Sequence, residues 1–253
     1  MGAKTALLAF AEGDVRSALS RATRSEQARA EALVQRIHPD HAVAAIQEQA
    51  LEDCVYPPGD TAYAAAPAGV DLVCDRRLAL DRPSELPEHL RELGKGRRIV
   101  VHSMHSVVDW LAFAVWEDGV LVRSLSLSPD SGIMEDIGEP YEFELPYWAG
   151  EHPVVPMPEW PDEGPYPLPF HPLDLGEVAL RALFGFVVEG YPDADDIDVS
   201  GIVMHGFTVT APSGLEQAAR EAALAEAMRA MGPPRVFRMG PGGVWQERSI
   251  DDL

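Results

Sequence analysis

Apolar positions along this chain recur with two different periods, and the switches between them mark out its elements. KTALLAF, residues 4–10, is a nearly unbroken apolar run that reads as a β-strand. DVRSALSRATRSEQARAEALVQRI, residues 14–37, repeats Ala, Leu and Val at roughly the 3.6-residue spacing of a helix, with Asp14 as N-cap. HAVAAIQEQALEDC, residues 41–54, reads as a second helix, which YPPGD stops. Short strands are predicted at 61–66 and 70–74, and Ser84 is placed to cap a short helix that Gly94 ends.

The middle of the chain switches to strand character. Ile99 to Met104 is rich in β-branched residues, and Val107 to Trp116 and Val120 to Leu127 flank EDG, a strong hairpin signal. Alternation puts Val107, Asp109, Leu111, Phe113 and Val115 on one face, with Val108, Trp110, Ala112, Ala114 and Trp116 on the other. Both faces are largely apolar, so this strand is expected to be covered on both sides.

From Leu145 to His171 eight prolines are interspersed with Tyr147, Trp148, Trp160, Tyr166 and Phe170. Such proline density excludes regular helix and sheet, while the aromatics point to an ordered strap across the fold. LDLGEVALRALFGFVVEG is apolar nearly all round and is predicted as a buried helix ending at Gly190. A strand is expected at 202–210. PSGLEQAAREAALAEAMRAMGPP then forms a helix with a Ser213/Glu216 capping box and a stop at Gly232, and a final hairpin turns through GPGG.

The fold class that follows is α+β: a mainly antiparallel sheet with the 107–127 hairpin near its centre, packed helices and a proline-rich strap. The first strand with its helix is expected to add some parallel pairing. Residues 1–253 read as one domain, with a sheet-rich lobe at 1–145, the strap at 146–172, and a helical lobe with a C-terminal hairpin at 173–253.

Composition narrows the function classes. No apolar run approaches the ~20 residues of a membrane-spanning helix, and the N-terminus lacks the pattern of a signal peptide. Cys54 and Cys74 are too few for a disulfide framework, which makes the cytoplasm the expected compartment. Eighteen of the 20 basic residues are arginines, a bias that points to a genome rich in G and C. The net charge of −21 is unevenly placed: residues 129–200 hold 17 acidic residues against one base, Arg181. That surface repels nucleic acid and suits either solubility or a basic protein partner.

Candidate chemistry is sparse. His102 and His105, with Asp109, are candidate catalytic and metal residues, although positions three apart on a strand point to opposite faces. IHPDH supplies His38, Asp40 and His41 as a second candidate metal cluster, with no spacing argument linking the two. PDADDIDVSG fails as a calcium loop, because from Asp193 its fifth position is Ile197 and its sixth Asp198. GxSxG, GxGxxG and the phosphate-binding loop pattern do not occur. Glu117, Asp118, Asp130, Glu135 and Asp136 lie near strand ends, but sequence alone pairs none of them.

Two function classes remain. The first is a non-catalytic interaction protein meeting a basic protein through Trp148, Glu159, Trp160, Asp162 and Glu163. The second is a metal-assisted hydrolase using His102, His105 and Asp109, with His38 or His41. No cofactor is expected.

MGAKTALLAFAEGD, HSMHSVVDWLAFAVWEDGVLVRSLSLSPDSG with YWAGEHPV, and FGFVVEG with GPPRVFRMGPGG together resemble an uncharacterised domain-of-unknown-function family of actinobacteria. The resemblance spans the whole chain. It implies a stand-alone cytosolic protein and brings no activity, cofactor or catalytic residue.

Overall fold

A computed structural model of the protein describes residues 2–154, 166–212, 236–239 and 245–248. The chain divides into two compact units, Met1–Thr210 and Ala211–Leu253.

The first unit is built on nine strands: β1 (Lys4–Ala11), β2 (Ala42–Ala50), β3 (Thr61–Ala65), β4 (Val70–Cys74), β5 (Arg98–His105), β6 (Trp110–Glu117), β7 (Val120–Ser128), β8 (Gly132–Ile137) and β9 (Val203–Thr210). Their spatial order is β2-β9-β3-β4-β1-β5-β6-β7-β8. Its helices are α1 (Val15–Leu19), α2 (Gln27–Ile37), α3 (Leu51–Cys54), α4 (Glu88–Leu93), α5 (Leu145–Trp148) and α6 (Pro172–Phe184). The fold is α+β with a mainly antiparallel sheet, as the patterning predicts. The centre is β1, however, and the β6–β7 hairpin lies towards one edge. Nor does β1 pair in parallel: β4 and β5 flank it, both antiparallel, because the strand after the first helices goes to the far edge instead.

Each sheet face carries a core. Leu7, Ala9, Val100, Met104, Leu111 and Phe113 pack with Leu175, Ala179, Leu180 and Phe184 of α6. On the opposite face Leu8, Phe10, Ile99, Val101, Ala114 and Trp116 pack with Ala30, Leu33, Val34 and Ile37 of α2 and Leu90 of α4. The i, i+3, i+4, i+7 spacing of the α2 residues is what aims them at one surface. Strand alternation divides β6 as predicted, and both of its faces are covered. The EDG turn joins β6 to β7 with positive φ at Asp118 (49°) and Gly119 (81°), the conformation that a two-residue hairpin loop matched to strand twist requires.

Several elements depart from the pattern. Residues 42–50 form strand β2 rather than helix, because its ladder with β9 satisfies the backbone and overrides a weak helical preference. The 14–37 segment is two helices. Asp14 does cap the first, accepting from Ser17 N–H at 2.8 Å, but the polar run from Thr23 to Ser25 has no apolar face to bury. Ser84 does not cap a helix; its hydroxyl bonds Glu135 Oε1 at 2.5 Å, and α4 starts after Pro87. α6 stops at Gly185, not Gly190: Gly185 is left-handed (φ 87°) and its N–H returns to the carbonyls of Leu180 and Arg181. Leu145–Trp148 is helical despite the proline density, since Pro146 lies in the first turn, where its missing N–H has no intrahelical partner.

The described ends of the proline-rich stretch pack on the α6-side core through Tyr147, Trp148, Leu168 and Phe170. Among the described residues no helix is long and apolar enough to cross a membrane. In the second unit β10 (Val236–Met239) pairs antiparallel with β11 (Trp245–Arg248), the strand pairing expected of the terminal hairpin. The Ser213/Glu216 capping box, its helix and the GPGG turn lie outside the described residues.

Candidate functional site

The histidines of the HSMHS stretch go different ways. His102 is wholly buried; its Nε2 lies 2.9 Å from the carbonyl of Gly176 and its Nδ1 2.9 Å from Thr5 Oγ1. A carbonyl only accepts, so Nε2 carries the proton and Nδ1 accepts from the threonine hydroxyl. Both ring nitrogens are thereby occupied within the core. Burial lowers the His102 pKa to about 4, keeping the ring neutral. His105, at the end of β5, falls on the other side of the strand; its Nδ1 accepts from Val107 N–H at 3.3 Å.

Asp109 occupies the turn with φ 45°, and its Oδ2 lies 3.5 Å from Nε2 of His171, the residue that caps α6. His171 Nδ1 accepts from Leu173 N–H, which directs the ring proton on Nε2 towards Asp109. This pair has the members of a catalytic dyad but not its arrangement, because the nitrogen a general base needs is already taken by backbone. Tyr166 stacks on His171 at 5.8 Å, and its pKa is pushed up to about 12 by burial and by the charges of Asp109 and Asp174.

His38 and His41 do meet, ring centres 5.2 Å apart, but His38 is bound to Asp75 at 2.7 Å. Asp75 also accepts from three nitrogens of Arg77, its backbone N–H, Nε and Nη2. Burial opposes ionisation of Asp75, yet the bonds from His38 and Arg77 prevail and hold its carboxyl below the usual value. Asp40 is exposed. Among the described residues no three His, Cys, Asp or Glu side chains are grouped so as to hold a metal ion.

The carboxylates near the strand ends also separate. Glu135 and Asp136, adjacent on β8, point to opposite faces: Glu135 bonds Ser84 and Ser124, and Asp136 bonds Arg123 at 2.5 Å. Arg123 is fully buried and also forks onto Glu144 at 2.9 and 2.6 Å. Glu144 accepts further from Tyr141 N–H and Trp148 Nε1. Trp148 is thus half-buried, edge-on to Phe170 at 5.0 Å, rather than displayed to solvent. The other residues expected to bind a partner, Glu159, Trp160, Asp162 and Glu163, lie outside the described residues.

What the acidic region does display is the loop after α6. Tyr191 is 95% exposed there, among exposed Glu189, Asp193 and Asp195. Arg181, the single base of residues 129–200, ties the loop down: its Nε bonds both Asp196 oxygens at 3.1 Å, its Nη2 the Tyr191 carbonyl at 3.0 Å, and its Nη1 lies 3.4 Å from Asp193. Glu177 accepts from the amides of Val188 and Glu189 at 2.9 and 3.0 Å, and Arg16 reaches the Asp195 carbonyl. The loop is therefore both acidic and held in one shape.

Residues 5–207 match the Family of unknown function (DUF6928). The chain belongs to this family. The DUF6928 match reaches from β1 into β9 and includes α6 and the Tyr191 loop, whereas the second unit lies beyond it. No curated protein and no solved structure matches the chain.

Proposed function

We propose that this DUF6928 protein is a non-catalytic interaction protein of the cytoplasm, which presents an acidic surface to a basic protein partner. The observation that carries this reading is Tyr191, 95% exposed on a loop whose Glu189, Asp193 and Asp195 are exposed and whose backbone is anchored by Arg181 and Glu177. An aromatic side chain buries much area at low entropic cost, and a loop already ordered loses little further freedom on binding. Surrounding carboxylates steer a basic surface towards it and select against acidic ones. The two cysteines, both buried and unbridged, accord with a reducing compartment.

Affinity purification with the full chain as bait tests this. Basic proteins are expected to bind at low salt, to elute as salt rises, and to be lost from a bait carrying Tyr191→Ser, Asp193→Asn and Asp195→Asn. Recovery of the same proteins by both baits, or of none with basic character, overturns the reading.

A further inference from the structure

At one end of the central strands the charge pattern of the molecule is reversed. β1 begins at Lys4, whose cross-strand partner is His105 at the end of β5. Arg76 follows the end of β4, on the other side of β1. All three side chains gather on Tyr56: the Arg76 guanidinium lies 4.6 Å from the ring centre, Lys4 Nζ 5.9 Å, and the His105 ring meets it edge-on at 5.5 Å.

Among the described residues neither Lys4 nor Arg76 has a carboxylate within ion-pair distance, in a chain with 41 acidic residues against 20 basic ones. The nearest acid in sequence, Asp75, is taken up by Arg77 and His38. Glu52 and Asp53, on α3 ahead of Tyr56, are exposed and form no ion pair with the cluster. Cation–π contacts at exposed sites return only ~0.5–1 kcal/mol each, and the like charges still repel. Desolvation, then Lys4 and Arg76, lower the pKa of His105. Val107 N–H occupies His105 Nδ1, so in the neutral ring Nε2–H remains to donate.

We propose that Lys4, Arg76 and His105 form a binding site for the phosphate group of a small phosphorylated ligand. An oxyanion supplies the charge this cluster lacks. The guanidinium offers a forked pair of donors, the ammonium a compact charge, and the imidazole a third N–H, a set suited to a tetrahedral dianion. With cations lying against its ring, Tyr56 serves to hold them rather than to stack a base, so recognition runs through the phosphate. The site is independent of the Tyr191 loop.

The test follows the ring proton resonances of His105 in the full chain, with inorganic phosphate and glycerol phosphate as probes at constant ionic strength. A saturable shift at millimolar concentration is expected with one or both probes; saturation by glycerol phosphate alone identifies an ester as the ligand. Lys4→Gln and Arg76→Gln are each expected to weaken binding about tenfold or more, while His171 resonances stay in place. A non-saturating drift, an equal response to acetate, or unchanged binding in both variants overturns the proposal.

Discussion

His102 on β5 donates a hydrogen bond to the carbonyl of Gly176 on α6 across 2.9 Å, joining a sheet side chain to the backbone of the helix above it. Close approach makes this bond reachable: a Cβ at Gly176 would lie 3.1 Å from Met104 Sδ and 3.3 Å from Leu111 Cδ1. The ring that makes the bond stays neutral, which ties the stability of the fold to pH.

The His102 pKa falls from 6.5 unfolded to about 4 folded, so below 6.5 the unfolded chain binds a proton that the folded chain refuses. Stability from this group is present above pH 6.5 and is lost as pH falls through about 4. The whole swing is on the order of 3 kcal/mol. Urea unfolding of the wild type and His102→Gln at a series of pH values reads it: the difference between them is expected to narrow between pH 6.5 and 4. A constant difference refutes the assignment.

Arg123 neutralises Glu144 where neither side chain touches solvent. Arg123→Met strands a buried carboxylate and is expected to destabilise the fold by ~3–5 kcal/mol. Arg123→Met combined with Glu144→Gln removes the charge as well and should recover part of that loss. Thermal unfolding of the two variants provides the comparison, and an equal or greater loss in the double variant argues against it.

Arg181→Gln should free the Tyr191 loop without unfolding α6, because its bonds run to the loop from the half-exposed side of the helix. Hydrogen exchange is the measurement. The Asp193 amide, bonded to Asp196 Oδ2 at 2.8 Å, should exchange at least ~10-fold faster, while amides of α2 keep their rates.

The left-handed backbone of Asp109 separates strain from contact. Asp109→Ala keeps φ near 45° at a cost of about 1 kcal/mol relative to Asp109→Gly, although both variants lose the His171 contact equally. Denaturant midpoints that rank the two the other way would show that the backbone there relaxes freely.

Legibility in the sequence followed from how local each signal is. The β6–β7 hairpin was readable because its turn residues and alternation lie within one stretch, and α2 because its apolar stripe is unbroken. β2 was not: as an edge strand it is mostly exposed on both faces, so no alternation is imposed on AVAAIQEQA, and its alanines mimic a helix. The position of β1 at the centre depends on partners that begin about 60 and 90 residues later, and no local pattern encodes that. The same holds for chemistry. His102, His105 and Asp109 stand together in sequence yet meet Gly176, Tyr56 and His171, each from a distant element. The Tyr191 loop was visible as charge, while its anchoring by Arg181 and Glu177 was not.

The placement of β9 between β2 and β3 sets an order of assembly. Residues 42–50 leave the ribosome long before residues 203–210, yet their ladder partner is β9 alone. Until that strand arrives, β3 is the sheet's temporary border and β2 has no strand to pair with. A nascent or truncated chain ending before Val203 therefore exposes a sparsely charged, strand-forming segment to its neighbours. Emergence of β9 is in this sense the step that completes the sheet of the first unit, and β9 acts as its closing stitch.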